Sequence, residues 1–388
     1  MSTTRFARRI TETSEKSYGM VGLAMAEKGP LIHLELGRPM HDTPKHIKQA
    51  TIDALLAGEV HYSDLQGLPE LREALASKLS RQNALNVDAS QIIVTNGLTQ
   101  ASFAAFMALL DHGDEAIILD PYYPQHIGKI EFAGATPVIA ALDPDDGFSI
   151  KRELIAPLIT PRTKVIVLVN PCNPTGRVYT RNELEIIADL AIENNLVVLT
   201  DEVYERITFD GAAHISIASL PGMEDRTVTM QAFTKAYAMD GWRIGYLVAP
   251  HDFIEPLMKV TTTEVTHVNT FIQHGAIAAI NGPGEALADM VDIDRQNRDL
   301  VVRRLNQMPG VTCNLPQGAI YAFPDISATG LKSDVVAMRL MREAGVVVES
   351  GSFYGKSGEG HLRICFGAQP KEVLSDAMDK LQDFFNKL

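Results

Sequence analysis

Short, nearly continuous apolar runs alternate with longer segments of helical period through the middle of this chain. The runs lie at residues 91–95, 116–120, 164–170, 196–201, 227–231 and 244–249, and VIVLV at 165–169 contains no polar position. A strand with one wet face alternates apolar and polar residues, so an uninterrupted run predicts a strand covered on both faces. Residues 98–110 and 181–194 read as helices between such runs. Thr180 followed by Glu183 forms a capping box for the second of them. Strands alternating with helices predict an α/β domain. Its sheet is mostly parallel and covered by helices, with ligand-binding loops at the carboxyl ends of the strands.

The pattern changes near residue 280. NGPG at 281–284 is a break signal, and a long helix is predicted over 284–308. Shorter strands follow at 319–323, 346–349 and 361–366, which together predict a smaller α+β domain. The main sheet begins only after the segment at 37–44, so the first residues are expected to pack near the small domain. The division is therefore an amino-terminal segment over 1–44, a large domain over 45–280 and a small domain over 281–388.

Composition narrows the function. The chain has 388 residues, 46% hydrophobic and 21% charged, which is ordinary for a globular protein. Its formal net charge of −13 speaks against non-specific nucleic-acid binding, which needs clustered Lys and Arg. Cys172, Cys313 and Cys365 are widely spaced and form no CxxC pair. They indicate neither a disulfide framework nor a zinc site, and they fit a reducing cytoplasm. Cys172 reads as a small neutral filler. No apolar run approaches the roughly 18 residues of a membrane helix. The start of the chain has no apolar core of a secretory signal, and Glu12 and Glu15 argue against the transit peptide that its Arg, Ser and Thr content suggests.

Candidate chemistry gathers at the strand ends. Asp201 closes an apolar strand, where a carboxylate is costly without a partner; a turn-capping Asp is the plainer reading. Tyr204 follows three residues on, on the same side if the segment turns helically. Lys235, in Ala232-Phe233-Thr234-Lys235, is either a surface loop lysine or an imine-forming nucleophile beside a pocket. Arg243 lies between Gly241 and Gly245, next to the single Trp242. NPCNPTG at 170–176 makes a rigid turn in which Asn173 offers an amide to an oxygen anion. TNGLTQA at 95–101 joins a strand to an apolar helix through Gly97. It is either a capped helix start or a phosphate site, and it matches neither the Walker A nor the GxGxxG pattern.

Taken in order, these segments resemble the class I/II aminotransferases, the fold-type I pyridoxal-phosphate enzymes. The resemblance runs from about residue 34 to 366. It is carried by GRPMHDTP (37–44), HYSDLQGLPELREAL (61–75), TNGLTQA, DPYYP (120–124), NPCNPTG, DEVY (201–204), FTKAYAMDGWRIGY (233–246) and HLRICFG (361–367).

The resemblance implies a large domain with a seven-stranded, mostly parallel sheet, a small α+β domain, and pyridoxal 5′-phosphate as cofactor. It makes Lys235 the Schiff-base lysine and proton shuttle, and Asp201 the partner of the pyridinium nitrogen. Tyr123 corresponds to the aromatic that stacks on the ring, with Tyr122 as the alternative. Asn173 and Tyr204 correspond to the donors to the phenolic oxygen. Gly97, Leu98, Thr99, Thr234 and Arg243 would hold the phosphate, joined by Tyr62 from the other subunit of a homodimer. Arg363, with Asn173 and Gly37, would grip the substrate α-carboxylate.

There are departures. Arg38 stands where an acidic residue is usual; it is either a pocket residue or a surface charge in another salt bridge, the second being the expectation. Ala232 replaces a frequent hydroxyl residue, so one phosphate ligand is expected to be missing. Between Thr261 and His274 there is no Arg or Lys, so the second arginine of dicarboxylate-specific members is not evident. Arg8, Arg9 and Lys16 are other sources of charge, and His267 and Asn269 are candidate pocket residues from the neighbouring subunit. The expected activity is ping-pong transfer of an amino group between an L-amino acid and a 2-oxo acid. A carbon–sulfur β-lyase or decarboxylase on the same scaffold is the alternative. A transcription regulator with an aminotransferase-like domain is disfavoured, because only about 35 residues precede the matching segments.

Overall fold

The apolar runs become strands where their pattern places them. The computed structural model describes residues 5–11, 13, 19–27 and 29–388. After a short β1 (Ile32–His33) come β2 (Ile92–Thr95), β3 (Glu115–Asp120), β4 (Thr136–Ala141), β5 (Thr163–Val169), β6 (Val197–Asp201), β7 (Thr227–Ala232) and β8 (Gly245–Val248). These last seven form one sheet in the order β2-β8-β7-β6-β5-β3-β4. β8 runs antiparallel to β2 and β7, and the other pairings are parallel.

β5 shows why its sequence is uninterrupted. Val165 and Val167 pack on one face of the sheet with Ala101, Phe106 and Leu199. Ile166 and Leu168 pack on the other with Leu184, Ile187 and Val198. Side chains of a strand alternate faces, so a strand covered on both sides needs apolar residues at every step. β4 escapes that rule. It is the edge strand, paired with β3 alone, and most of its residues are partly or fully exposed. Pro137 is tolerated there because an edge strand has bonds to spare.

The helix Arg181–Glu193 begins at Thr180 with the anticipated capping box. Thr180 N donates to Glu183 Oε2 at 2.9 Å, and Glu183 also receives Arg177 Nη2 at 2.6 Å.

The carboxyl-terminal part contains β9 (Tyr321–Ala322), β10 (Val346–Val347), β11 (Glu349–Ser350) and β12 (Leu362–Cys365). β11, β12 and β9 make an antiparallel sheet, while β10 pairs in parallel with β1. Leu34 N donates to Val347 O and its carbonyl accepts from Cys365 N, so residues 32–34 knit into this second sheet system. The long helix Glu285–Leu305 packs against the last helix, Lys371–Phe385. No helix among the described residues is long and apolar enough to cross a membrane.

Candidate active site

A cavity of about 510 Å³ opens at the carboxyl ends of β5, β6 and β7, with walls contributed by residues 35–37 and by β11 and β12. β6 delivers the buried Asp201 to its floor. Asp201 Oδ1 accepts from Val203 N at 3.2 Å. Its Oδ2 lies 3.4 Å from His126 Nε2, close but not aligned as a hydrogen bond. His126 is wholly enclosed on the helix Pro124–Phe132, and burial holds its imidazolium below the usual histidine range despite the opposing pull of Asp201. Burial thus favours the neutral ring beside the carboxylate. Sequence reasoning missed it. Its one signal was its place three residues after Tyr123, on the same helical face. Tyr123 lines the cavity and meets His126 edge-on at 5.2 Å, whereas Tyr122 lines a separate apolar hollow with Met20 and Leu23.

Past β7, Thr234 and Lys235 line the same cavity. Lys235 Nζ donates to the Gly37 carbonyl and stands 6.0 Å from the centre of the Tyr204 ring. The lysine is half-buried along its length, but its ammonium sits among protein atoms, and burial holds it below the ordinary lysine range. Tyr204 shares a 2.6 Å hydrogen bond with Tyr321 through their hydroxyls. Burial pushes both phenols up, Tyr321 to about 12, so both remain protonated donors.

The third group is an anion cradle. The helix Leu98–Leu109 starts after Gly97, at φ 77°, with neither a side-chain cap nor an acid in its first turn. Its first backbone N–H groups thus face the cavity with the positive end of the helix dipole. Arg243, itself at φ 54°, lies against this start and donates from Nη1 to Asp240 O at 2.8 Å. A Cβ on Gly97 would fall 2.8 Å from Arg243 Nη2. Glycine is thus needed both for the backbone angle and for the guanidinium to come this close. Leu98, Thr99 and Thr234 complete the lining, and Lys129, bonded to Ser102 Oγ at 2.8 Å, borders it.

Arg363 projects from β12 into the opposite wall. Nη1 donates to Asn173 Oδ1 at 3.1 Å and Nη2 to the Glu35 carbonyl, while Nε has no partner among the described residues. The rings of Tyr321 and Tyr354 flank the guanidinium at 4.4 and 4.8 Å. Neither tyrosine was singled out in the sequence, because only the sheet pairing brings them to Arg363.

Other candidates lie elsewhere. Tyr62 is 82% exposed and packs edge-on to His267 at 4.9 Å, outside this cavity. Asn269 precedes the helix Thr270–Asn281. Arg38 and Arg9 are exposed, and among the described residues Arg38 makes no ion pair, so the salt bridge expected of it is not seen there. Lys16 and the side chain of Arg8 fall outside the described residues.

The donor set fits an aromatic phosphate ester that carries a carbonyl. A cradle for its phosphate, a carboxylate for a ring nitrogen, phenol and amide donors for a ring oxygen, and an amine nucleophile all face one space. The unpartnered Arg363 Nε marks a wall prepared for a further anion.

Comparison with known proteins agrees with this donor set. A family model described as aminotransferase class I and II matches residues 30–381. The aspartate aminotransferase of Pyrococcus abyssi is 40% identical over 355 residues, 91% of each chain. An arginine–pyruvate transaminase of Pseudomonas aeruginosa is 38% identical over 351 residues, 90% of this chain and 89% of that one. The crystal structure of the aspartate aminotransferase from Rhizobium meliloti superposes with a TM-score of 0.94 at 32% identity, covering 99% of both chains.

Proposed function

The chain belongs to the class I and II aminotransferase family, and from that premise we propose that it moves the amino group of an L-amino acid to a 2-oxo acid in two half-reactions on pyridoxal 5′-phosphate. The observation that carries this reading is the convergence of Lys235, Asp201, the Gly97–Arg243 cradle and Arg363 on one cavity. Bound there, the cofactor supplies a carbonyl carbon that takes up nitrogen and a ring that accepts the electron pair of a broken Cα–H bond.

The protein's own groups do the rest. The N–H groups of Leu98 and Thr99, with the Thr99 and Thr234 hydroxyls and Arg243, hold the phosphate. The methyl of Ala232 leaves that set one hydroxyl short. Asp201 keeps a proton on the ring nitrogen, and His126 seals the carboxylate from water. Tyr123 covers the ring face. Asn173 and Tyr204 donate to the ring oxygen, for which the high pKa of Tyr204 suits it. Lys235 would hold the cofactor through Nζ, and its amine would carry the proton to and from the substrate Cα. Burial holds its pKa below the ordinary lysine range, which favours the free amine. Arg363 binds the α-carboxylate through its two Nη groups, assisted by Asn173 and the Gly37 backbone.

The active unit in this reading is a homodimer, with Tyr62 reaching the partner's phosphate. Ile52, Leu55, Leu56, Val60 and Leu65, in the same segment of chain as Tyr62, are exposed and supply apolar surface for it. Residues 45–280 act as the cofactor-binding domain and residues 281–388, with the amino-terminal segment, as the smaller one. Three buried, unpaired cysteines suit a cytoplasmic setting.

Transamination is tested by giving the holoprotein one equivalent of amino donor and no acceptor. The expected result is one equivalent of 2-oxo acid per active site and no free ammonia. Ammonia release would assign the chain to elimination, and carbon dioxide release to decarboxylation.

A further inference from the structure

The wall beside Arg363 carries more negative charge than the aminotransferase reading requires. Glu35 is 2% exposed and Glu349 is 3% exposed, and both line the cavity. Glu349 lies directly across the sheet from Arg363, and the backbone of Glu35 accepts from Arg363 Nη2. Among the described residues, neither carboxylate makes an ion pair with a Lys or Arg. Glu35 Oε1 is 2.8 Å from Nδ1 of the half-exposed His33, and among the described residues Oε2 has no partner. Glu349 is held by neutral donors, the N–H groups of Met20 at 2.9 Å and Ser350 at 3.1 Å. Burial foremost, with the charge of Glu35 adding to it, keeps Glu349 above the usual carboxylate range.

Charge balance then sets a condition on the substrate. In the unliganded wall the Arg363 guanidinium stands across the sheet from Glu349, and Glu35 lines the same cavity. Once an α-carboxylate engages Arg363, that positive charge is spent and the two glutamates are left uncompensated. A buried, unpaired charge is strongly unfavourable. The other cations of the cavity serve elsewhere: Lys235 bonds to Gly37, Arg243 sits at the helix start, and Lys129 bonds to Ser102. Val21, Leu36 and Phe353 line the same cavity and offer an apolar wall for a methylene stem.

We propose that Glu35 and Glu349 form a subsite for a cationic side chain, so that the amino donor is one ending in an amino or guanidino group. This rests on the assignment of Arg363 to the α-carboxylate. It runs opposite to a dicarboxylate preference, which would place a third carboxylate against these two.

The test is calorimetric binding of δ-guanidinovalerate, valerate and glutarate to the holoprotein. All three lack an α-amino group and bind without reacting. The guanidino acid is expected to bind about tenfold or more tightly than valerate, with glutarate weakest, because its cation finds a desolvated carboxylate. Glu35→Gln is expected to reduce that advantage to within about threefold, with valerate binding no more weakly than to the unaltered protein. Tighter binding of glutarate, or a guanidino preference that survives Glu35→Gln, overturns the subsite. If the variant does not fold, the order of the three ligands on the unaltered protein still decides. Failure of transamination itself would show separately, as absence of 2-oxo acid from every amino donor.

Discussion

Lys235→Ala is expected to lower kcat by about 10⁴-fold, the upper range for loss of a positioned general base, and to leave the phosphate cradle able to retain cofactor. The effect is large because, among the described residues, the cavity offers one other lysine. Lys129 lines the cavity but is bonded to Ser102 Oγ at 2.8 Å, and Arg243 lies at the helix start against Gly97. Added small primary amines should restore part of the rate, since truncation leaves room for a free base. Activity within about tenfold of the unaltered protein would remove Lys235 from proton transfer. The same variant probes the shared site. Mixed with Tyr62→Phe chains under conditions of proven subunit exchange, it should recover activity in hybrid dimers, because one of the two sites then has both residues intact. No recovery would separate Tyr62 from the partner's site.

Arg363→Ala is expected to reduce kcat/KM by about 30- to 1000-fold, mostly through KM, with cofactor content close to that of the unaltered protein. Arg363 lines the cavity with its terminal nitrogens anchored on Asn173 Oδ1 and the Glu35 carbonyl, and its guanidinium lies 4.4 and 4.8 Å from the Tyr321 and Tyr354 ring centres. A carboxylate gripped by a planar fork loses two charge-assisted bonds at once. Arg363→Lys should recover only part of the loss, because a single ammonium cannot reproduce the fork. Equal loss of cofactor and substrate binding would make Arg363 a structural member of β12 instead.

Local residue order carried much of this architecture, and its gaps have physical causes. VIVLV predicted a doubly covered strand because burial on both faces leaves no room for a polar step. TPVIAA at 136–141 carried no such mark, since an edge strand satisfies a weaker rule and accommodates Pro137. Lys235, Asp201, Asn173, Arg243 and Arg363 stood in ordered motifs, and all five line one cavity. His126 did not stand out, because an enclosed histidine on an apolar helix reads as core until the carboxylate behind it is known. Tyr321 and Tyr354 gained meaning only when the β9, β11 and β12 pairings were seen around Arg363. Glu35 and Glu349 were equally silent. They are 314 residues apart (349 − 35), and only the packing of residues 32–35 against the second sheet system makes them neighbours of one guanidinium.

In the proposed function Lys235 is the covalent anchor of the cofactor. The most direct measurement is borohydride reduction of the holoprotein, followed by proteolysis and mass spectrometry of the peptides. The result predicted is a single phosphopyridoxyl group on the lysine of the sequence AFTKAYAMD, at Lys235. A label on any other lysine, with the FTKAYAMD peptide recovered unmodified, would contradict it.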